Sequence, residues 1–123
     1  MRRFVMVVAA CWLCGALASG ALAQERYGAI AYSQQTDAHG WALHVPTQGA
    51  AEKGALKECG THGPGCVVTT WFRNGCGALA VAPDRSWGAD WGASEDEAGR
   101  KALARCGTQA PKGCVVARAV CTE

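Results

Sequence analysis

The chain has 123 residues, with 12 Lys and Arg against 10 Asp and Glu, a formal net charge of +2. Arg2 and Arg3 account for the whole excess, so everything after them is neutral. That argues against a nucleic-acid binder or a polybasic membrane-surface protein, and no stretch beyond residue 23 approaches the roughly 18 apolar residues of a membrane span.

Residues 1–23 have the order of a secretory leader: Arg2 and Arg3, an apolar run from Phe4 to Leu17, then Ala21-Leu22-Ala23. The sequence therefore predicts a signal peptide over 1–23 and one domain over 24–123, periplasmic or secreted. Cys11 and Cys14 fall in the leader. Val8-Ala9-Ala10-Cys11 also loosely resembles a lipoprotein processing site, a minor alternative because only a short apolar run precedes it.

The remainder reads twice, over about 27–72 and 76–121. Gly28-Ala29-Ile30-Ala31 recurs as Gly77-Ala78-Leu79-Ala80, Trp41 as Trp87, Ala55-Leu56-Lys57-Glu58-Cys59-Gly60-Thr61 as Ala102-Leu103-Ala104-Arg105-Cys106-Gly107-Thr108, and Gly65-Cys66-Val67-Val68 as Gly113-Cys114-Val115-Val116. Two copies are too few for a solenoid and predict one pseudo-symmetric domain. Its first strand spans Tyr27 to Tyr32. A second alternates Trp41, Leu43 and Val45 on one face, with Ala42 and His44 on the other. A helix capped by Thr47 follows, weakened by Gly49 and Gly54. A third strand starts at Cys66.

Asn74-Gly75 then joins two apolar runs as a hairpin signal. The second copy runs Gly77 to Ala82, a turn at Pro83-Asp84, and Trp87, Ala89 and Trp91 on one face. Its helix is opened by the capping box Ser94 and Glu97. Asp96 with Arg100 and Glu97 with Lys101 sit four apart, and Gly107 supplies a stop. A last strand starts at Cys114. The fold class is α+β: two strand-strand-helix-strand repeats forming one mostly antiparallel sheet with two helices, stapled by disulfides.

Cys59, Cys66, Cys76, Cys106, Cys114 and Cys121 are an even set in a short exported chain, which reads as a disulfide framework. Large aliphatics are scarce, with four leucines and one isoleucine after residue 23, and a core this small calls for staples. The repeat selects Cys59–Cys66 and Cys106–Cys114 as one staple used twice, leaving Cys76–Cys121. Zinc is disfavoured because no short paired Cys-x2-4-Cys knuckles occur.

Tyr27-Gly28-Ala29-Ile30-Ala31-Tyr32-Ser33, Gly40-Trp41, Trp71-Phe72-Arg73-Asn74-Gly75-Cys76-Gly77-Ala78-Leu79-Ala80, Trp87-Gly88 and Trp91-Gly92-Ala93-Ser94 resemble the family of domain of unknown function 4189. The resemblance runs from Tyr27 to Cys121 and is most specific over Trp71 to Ala80. It implies a small exported bacterial protein, often a single such domain behind a signal peptide. It carries no catalytic motif.

No catalytic residue, cofactor site or metal site emerges from the residues themselves. His39 and His62 lie among loop glycines. His44, matched to Asp90 in the repeat, makes an acid–base pair only if the symmetry joins those faces. There is no Gly-x-Ser-x-Gly elbow, phosphate loop or calcium loop. Trp41 and Trp87 read as core; Trp71 and Trp91, whose repeat counterparts are Ala119 and Val45, read as a contact patch. With Arg73 and Asn74 they form the candidate binding surface. The leading function is a non-catalytic module, monomeric, that binds a protein in the envelope or outside the cell. An inhibitor or immunity-type protein capping a toxin or hydrolase comes second, and a secreted enzyme third.

Overall fold

The structure is a computed structural model describing residues 25–110 and 113–122. The leader-like segment and the Cys11 alternative lie outside the described residues. The elements run β1 (Tyr27–Tyr32), β2 (His39–Val45), α1 (Gln48–Gly60), β3 (Val67–Arg73), β4 (Cys76–Val81), β5 (Trp87–Gly92), α2 (Glu95–Gln109) and β6 (Val115–Cys121). The class is α+β, with the same strand-strand-helix-strand order in each half.

The strands form two antiparallel three-stranded sheets, ordered β2-β1-β3 and β5-β4-β6, in place of the single sheet expected. The reason lies at Asn74-Gly75. Asn74 takes a left-handed conformation, φ 48°, but β3 and β4 do not pair. Asn74 N–H donates to the Arg26 carbonyl at 2.9 Å, while the Thr122 N–H donates to the Gly75 carbonyl at 2.8 Å. The turn thus completes two different ladders and passes the chain from one sheet to the other. The true hairpin is at Pro83-Asp84, where Asp84 Oδ1 accepts from the Ser86 N–H at 2.9 Å.

Alternation in the central strands sets the layers. Ala29 and Ala31 of β1 pack with Ala51, Ala55 and Cys59 of α1; Ala78 and Ala80 of β4 pack with Ala98, Ala102 and Cys106 of α2. The bulkier Ile30, Tyr32, Phe72 and Leu79 point between the sheets. The order is helix, sheet, sheet, helix. Small side chains let each helix sit close on its sheet: a Cβ at Gly40 would strike the backbone of Cys59, and one at Gly88 that of Cys106.

Both helices start as their capping residues dictate, with Thr47 accepting from the Ala50 N–H and Ser94 from the Glu97 N–H, each at 3.1 Å. Glu97 reaches back to the Ala93 N–H at 3.0 Å and does not pair with Lys101. Nor does Gly107 stop α2, which continues to Gln109 with Ala110 as its cap. Disulfides join Cys59–Cys66 and Cys106–Cys114 across Cα separations of 6.2 and 6.1 Å, and Cys76 to Cys121.

The registers also correct the matching of the two halves. Ile30 pairs with Trp41 and Thr70, while Leu79 pairs with Ala89 and Arg118. Trp41 therefore corresponds to Ala89, not to Trp87, whose counterpart beside Tyr32 is His39. Both tryptophans still pack against the central cluster. A bulge near His44, φ 61°, turns Val45 towards α1, away from Trp41 and Leu43.

Candidate functional site

The two sheets stack with β3 beside β5 and β2 beside β6, where the Arg118 guanidinium lies 4.1 Å from the centre of the Trp41 ring. These side regions are built from corresponding strands but filled differently. On the β2–β6 side Trp41 and Arg118 take up part of the crevice between sheet edges, which keeps about 430 Å³. On the β3–β5 side the same register positions hold Ala89 and Thr70. The missing bulk leaves a groove of about 640 Å³ lined by Thr69 to Arg73 from β3, Ala89 to Trp91 from β5, and Arg105 from α2.

Trp71 and Trp91 flank this groove and are 43% and 54% exposed. Tyr27 supports Trp71 with ring centroids 6.2 Å apart. Lys101 Nζ sits 5.0 Å over the Trp91 ring and donates to the Trp91 carbonyl at 2.7 Å, so Trp91 is held from its own helix. Asp90 is the electrostatic hub. Its carboxylate accepts from Arg105 Nε at 2.7 Å and from the Trp91 N–H at 2.8 Å, with Lys101 Nζ at 3.8 Å. Burial alone would raise its pKa, but those hydrogen bonds and the two cations outweigh burial and hold the carboxyl below its ordinary range. Arg105 still has its outer guanidinium nitrogens exposed, and Arg73, paired to Glu25 at 3.3 Å, is half exposed.

The model of a domain of unknown function (DUF4189) matches residues 27–121. The chain belongs to this family. It is also similar to the NMR structure of Rv1813c from Mycobacterium tuberculosis, at 29% identity and a TM-score of 0.57, covering 78% of this chain and 74% of that one. No curated protein matches it.

Of the four residues singled out in the sequence, the DUF4189 fold brings Trp71, Arg73 and Trp91 to one groove. Asn74 is elsewhere in its role: its Oδ1 accepts from the Arg26 N–H at 2.9 Å and it forms the crossing between sheets. Thr70, Ala89, Lys101 and Arg105 were not singled out as site residues, and Asp90 only as a partner for His44. Arg105, with no acid three or four residues away on α2, was the available signal that an acid from elsewhere meets that face.

His44 and Asp90 do not pair. The bulge carries His44 to the opposite side, where its Nδ1–H donates to the Thr122 carbonyl at 2.8 Å. His39 stacks beside Trp41 with centroids 6.2 Å apart, and His62 lies 3.7 Å from Glu58. Among the described residues no three His, Cys, Asp or Glu side chains form a metal-ligand set, and no helix is long and apolar enough to cross a membrane.

Proposed function

We propose that this DUF4189 domain is an exported, non-catalytic interaction module that engages a protein partner through the groove between β3 and β5. The observation that carries this reading is the unequal filling of two corresponding crevices. The fold accommodates Trp41 and Arg118 at one of them, yet sets Ala89 and Thr70 at the other and surrounds the opening with two exposed tryptophans. Exposed aromatics beside arginines are the residue types that dominate protein interfaces. Three disulfides support export, as does the leader-like order of residues 1–23. A stapled domain also loses little conformational entropy on association.

The test starts from the oxidised domain as bait for envelope and secreted fractions, followed by titration of the purified partner. Trp71→Ala with Trp91→Ala is expected to weaken that partner at least about tenfold, the loss of an interface anchor. His39, His44 and His62 changed to Ala are expected to leave it intact. The opposite pattern, loss with the histidine set alone, overturns the reading in favour of proton-transfer chemistry.

A further inference from the structure

The residues lining the groove are consecutive: Thr69, Thr70, Trp71, Phe72 and Arg73 on β3, and Ala89, Asp90 and Trp91 on β5. Side chains alternate across a strand, so a ligand lying on one face would meet every second residue. An unbroken run means that strand edges look into the groove. Both strands are edge strands, each paired on one side only. Edges in natural proteins are blunted by proline, inward charge, bulges or cover. β3 has no proline, and its bulge lies near Thr69, where pairing skips between Ile30–Thr70 and Ala31–Val68. Thr70 to Arg73 is then a regular, uncovered stretch.

The charges beside this edge are unequal. Asp90 is already satisfied by Arg105 and the Trp91 N–H, and Glu25 by Arg73 and Tyr27. The outer nitrogens of Arg105, the remaining donors of Arg73 and the ammonium of Lys101 leave a surplus of positive charge around two indole rings. Guanidinium forks of this kind suit carboxylates.

We infer that the groove takes an extended, acidic peptide segment that adds as a strand to the free edge of β3 along Thr70–Arg73, with its carboxylates on Arg73 and Arg105. This rests on the reading of the groove as a protein-binding site and names its ligand. Main-chain hydrogen bonds along β3 give affinity, and the arginines with Trp71 and Trp91 select side chains. At the corresponding β2–β6 position Trp41 and Arg118 narrow the crevice to about 430 Å³, and its lining adds the acids Asp37 and Glu58, which disfavour an acidic strand.

The experiment uses the oxidised domain and three blocked five-residue probes: alternating valine and glutamate, alternating valine and lysine, and the glutamate peptide with N-methylated amides. Binding is read from amide chemical shifts and hydrogen exchange at β3. The glutamate peptide is expected to bind near about 1 mM, in keeping with its size, and to slow exchange at Thr70–Arg73 amides. N-methylation and the lysine exchange are each expected to weaken it about tenfold. Arg73→Gln with Arg105→Gln, both at exposed sites, is expected to abolish the preference for glutamate over lysine. Equal binding of the methylated peptide, no charge preference, shifts confined to β6, or no binding by any probe each overturn the strand-addition proposal. If partner affinity still depends on Trp71 and Trp91 in that event, the groove binds a folded surface and only the inference fails. If it does not, the interaction reading fails as well.

Discussion

Gly28 of β1 and Gly77 of β4 close on two edges of a single ring, that of Phe72, from opposite sheets. A Cβ at either position would overlap the ring, which is itself 1% exposed. The two sheets are therefore spaced by one aromatic side chain with no room to spare on its flanks.

Gly77→Ala is predicted to destabilise the domain by about 1–3 kcal/mol through overpacking, and Phe72→Ala by about 3–5 kcal/mol through the cavity it leaves. Combining Gly77→Ala with Phe72→Ala is predicted to cost less than the sum of the two single changes, because the cavity makes room for the methyl. Urea unfolding of the four proteins checks this; strict additivity refutes the contact.

Copying the narrower crevice onto the wider one is a second test. Ala89→Trp with Thr70→Arg is predicted to fold, to cost about 1–3 kcal/mol because Ala89 is buried and the added bulk must be accommodated, and to lose partner binding. The reverse change, Trp41→Ala with Arg118→Thr, is predicted to cost about 3–5 kcal/mol for the lost indole. Thermal denaturation and partner titration read both.

Asp90 and Tyr32 place opposite pH limits on stability. The Asp90 carboxyl is held below its ordinary pKa in the fold. As pH falls, the unfolded chain therefore takes up this proton first, and stability declines below about pH 4. Asp90→Asn is predicted to flatten that acid limb. Tyr32 is the reverse case. Burial first, then its 2.6 Å hydrogen bond to Asp37, pushes its phenol upward. The stability so gained is full below the unfolded pKa near 10 and is lost as pH rises beyond it. Tyr32→Phe is predicted to remove that alkaline decline. Chemical denaturation across pH reads both limbs.

The three disulfides differ in the chain they enclose, with sequence separations of 7 and 8 for Cys59–Cys66 and Cys106–Cys114, and 45 for Cys76–Cys121. Loop-closure entropy predicts losses of about 2.5 kcal/mol for removing either short bridge and about 4 kcal/mol for the long one. Paired Cys→Ala variants, compared by denaturant midpoint, test that order.

The element order of both halves is readable from local signals: alternation in Tyr27–Tyr32, the caps at Thr47 and Ser94, and the Pro83-Asp84 turn. Division into two sheets was not readable, because Asn-Gly after an apolar run has the same chemistry whether its two strands pair with each other or with distant partners. The turn's outcome was decided by Arg26 and Thr122, far away in the chain. Trp41 and Trp87 mislead for a different reason. They match as residue types, while the ladder matches Gly40 with Gly88, where each helix backbone presses on its strand. Within the groove, Trp71, Trp91 and Arg73 stand out as unusual residues. Ala89 and Thr70 matter by being small, a property that signifies only once their large counterparts are known.

The connectivity of the bridges carries a consequence for how the chain is oxidised. Emerging from its amino end, it exposes Cys59 and then Cys66, which are proper partners. Cys76 comes next, but Cys106 and Cys114 both appear before Cys121. Pairing each thiol with the next arrival would join Cys76 to Cys106 and Cys114 to Cys121, two wrong bridges. Correct maturation therefore requires either that Cys76 wait as a thiol or that a mispaired intermediate be reshuffled by thiolate exchange. A producing cell deprived of disulfide isomerase should accumulate the Cys76–Cys106 isomer, while the Cys59–Cys66 link forms normally.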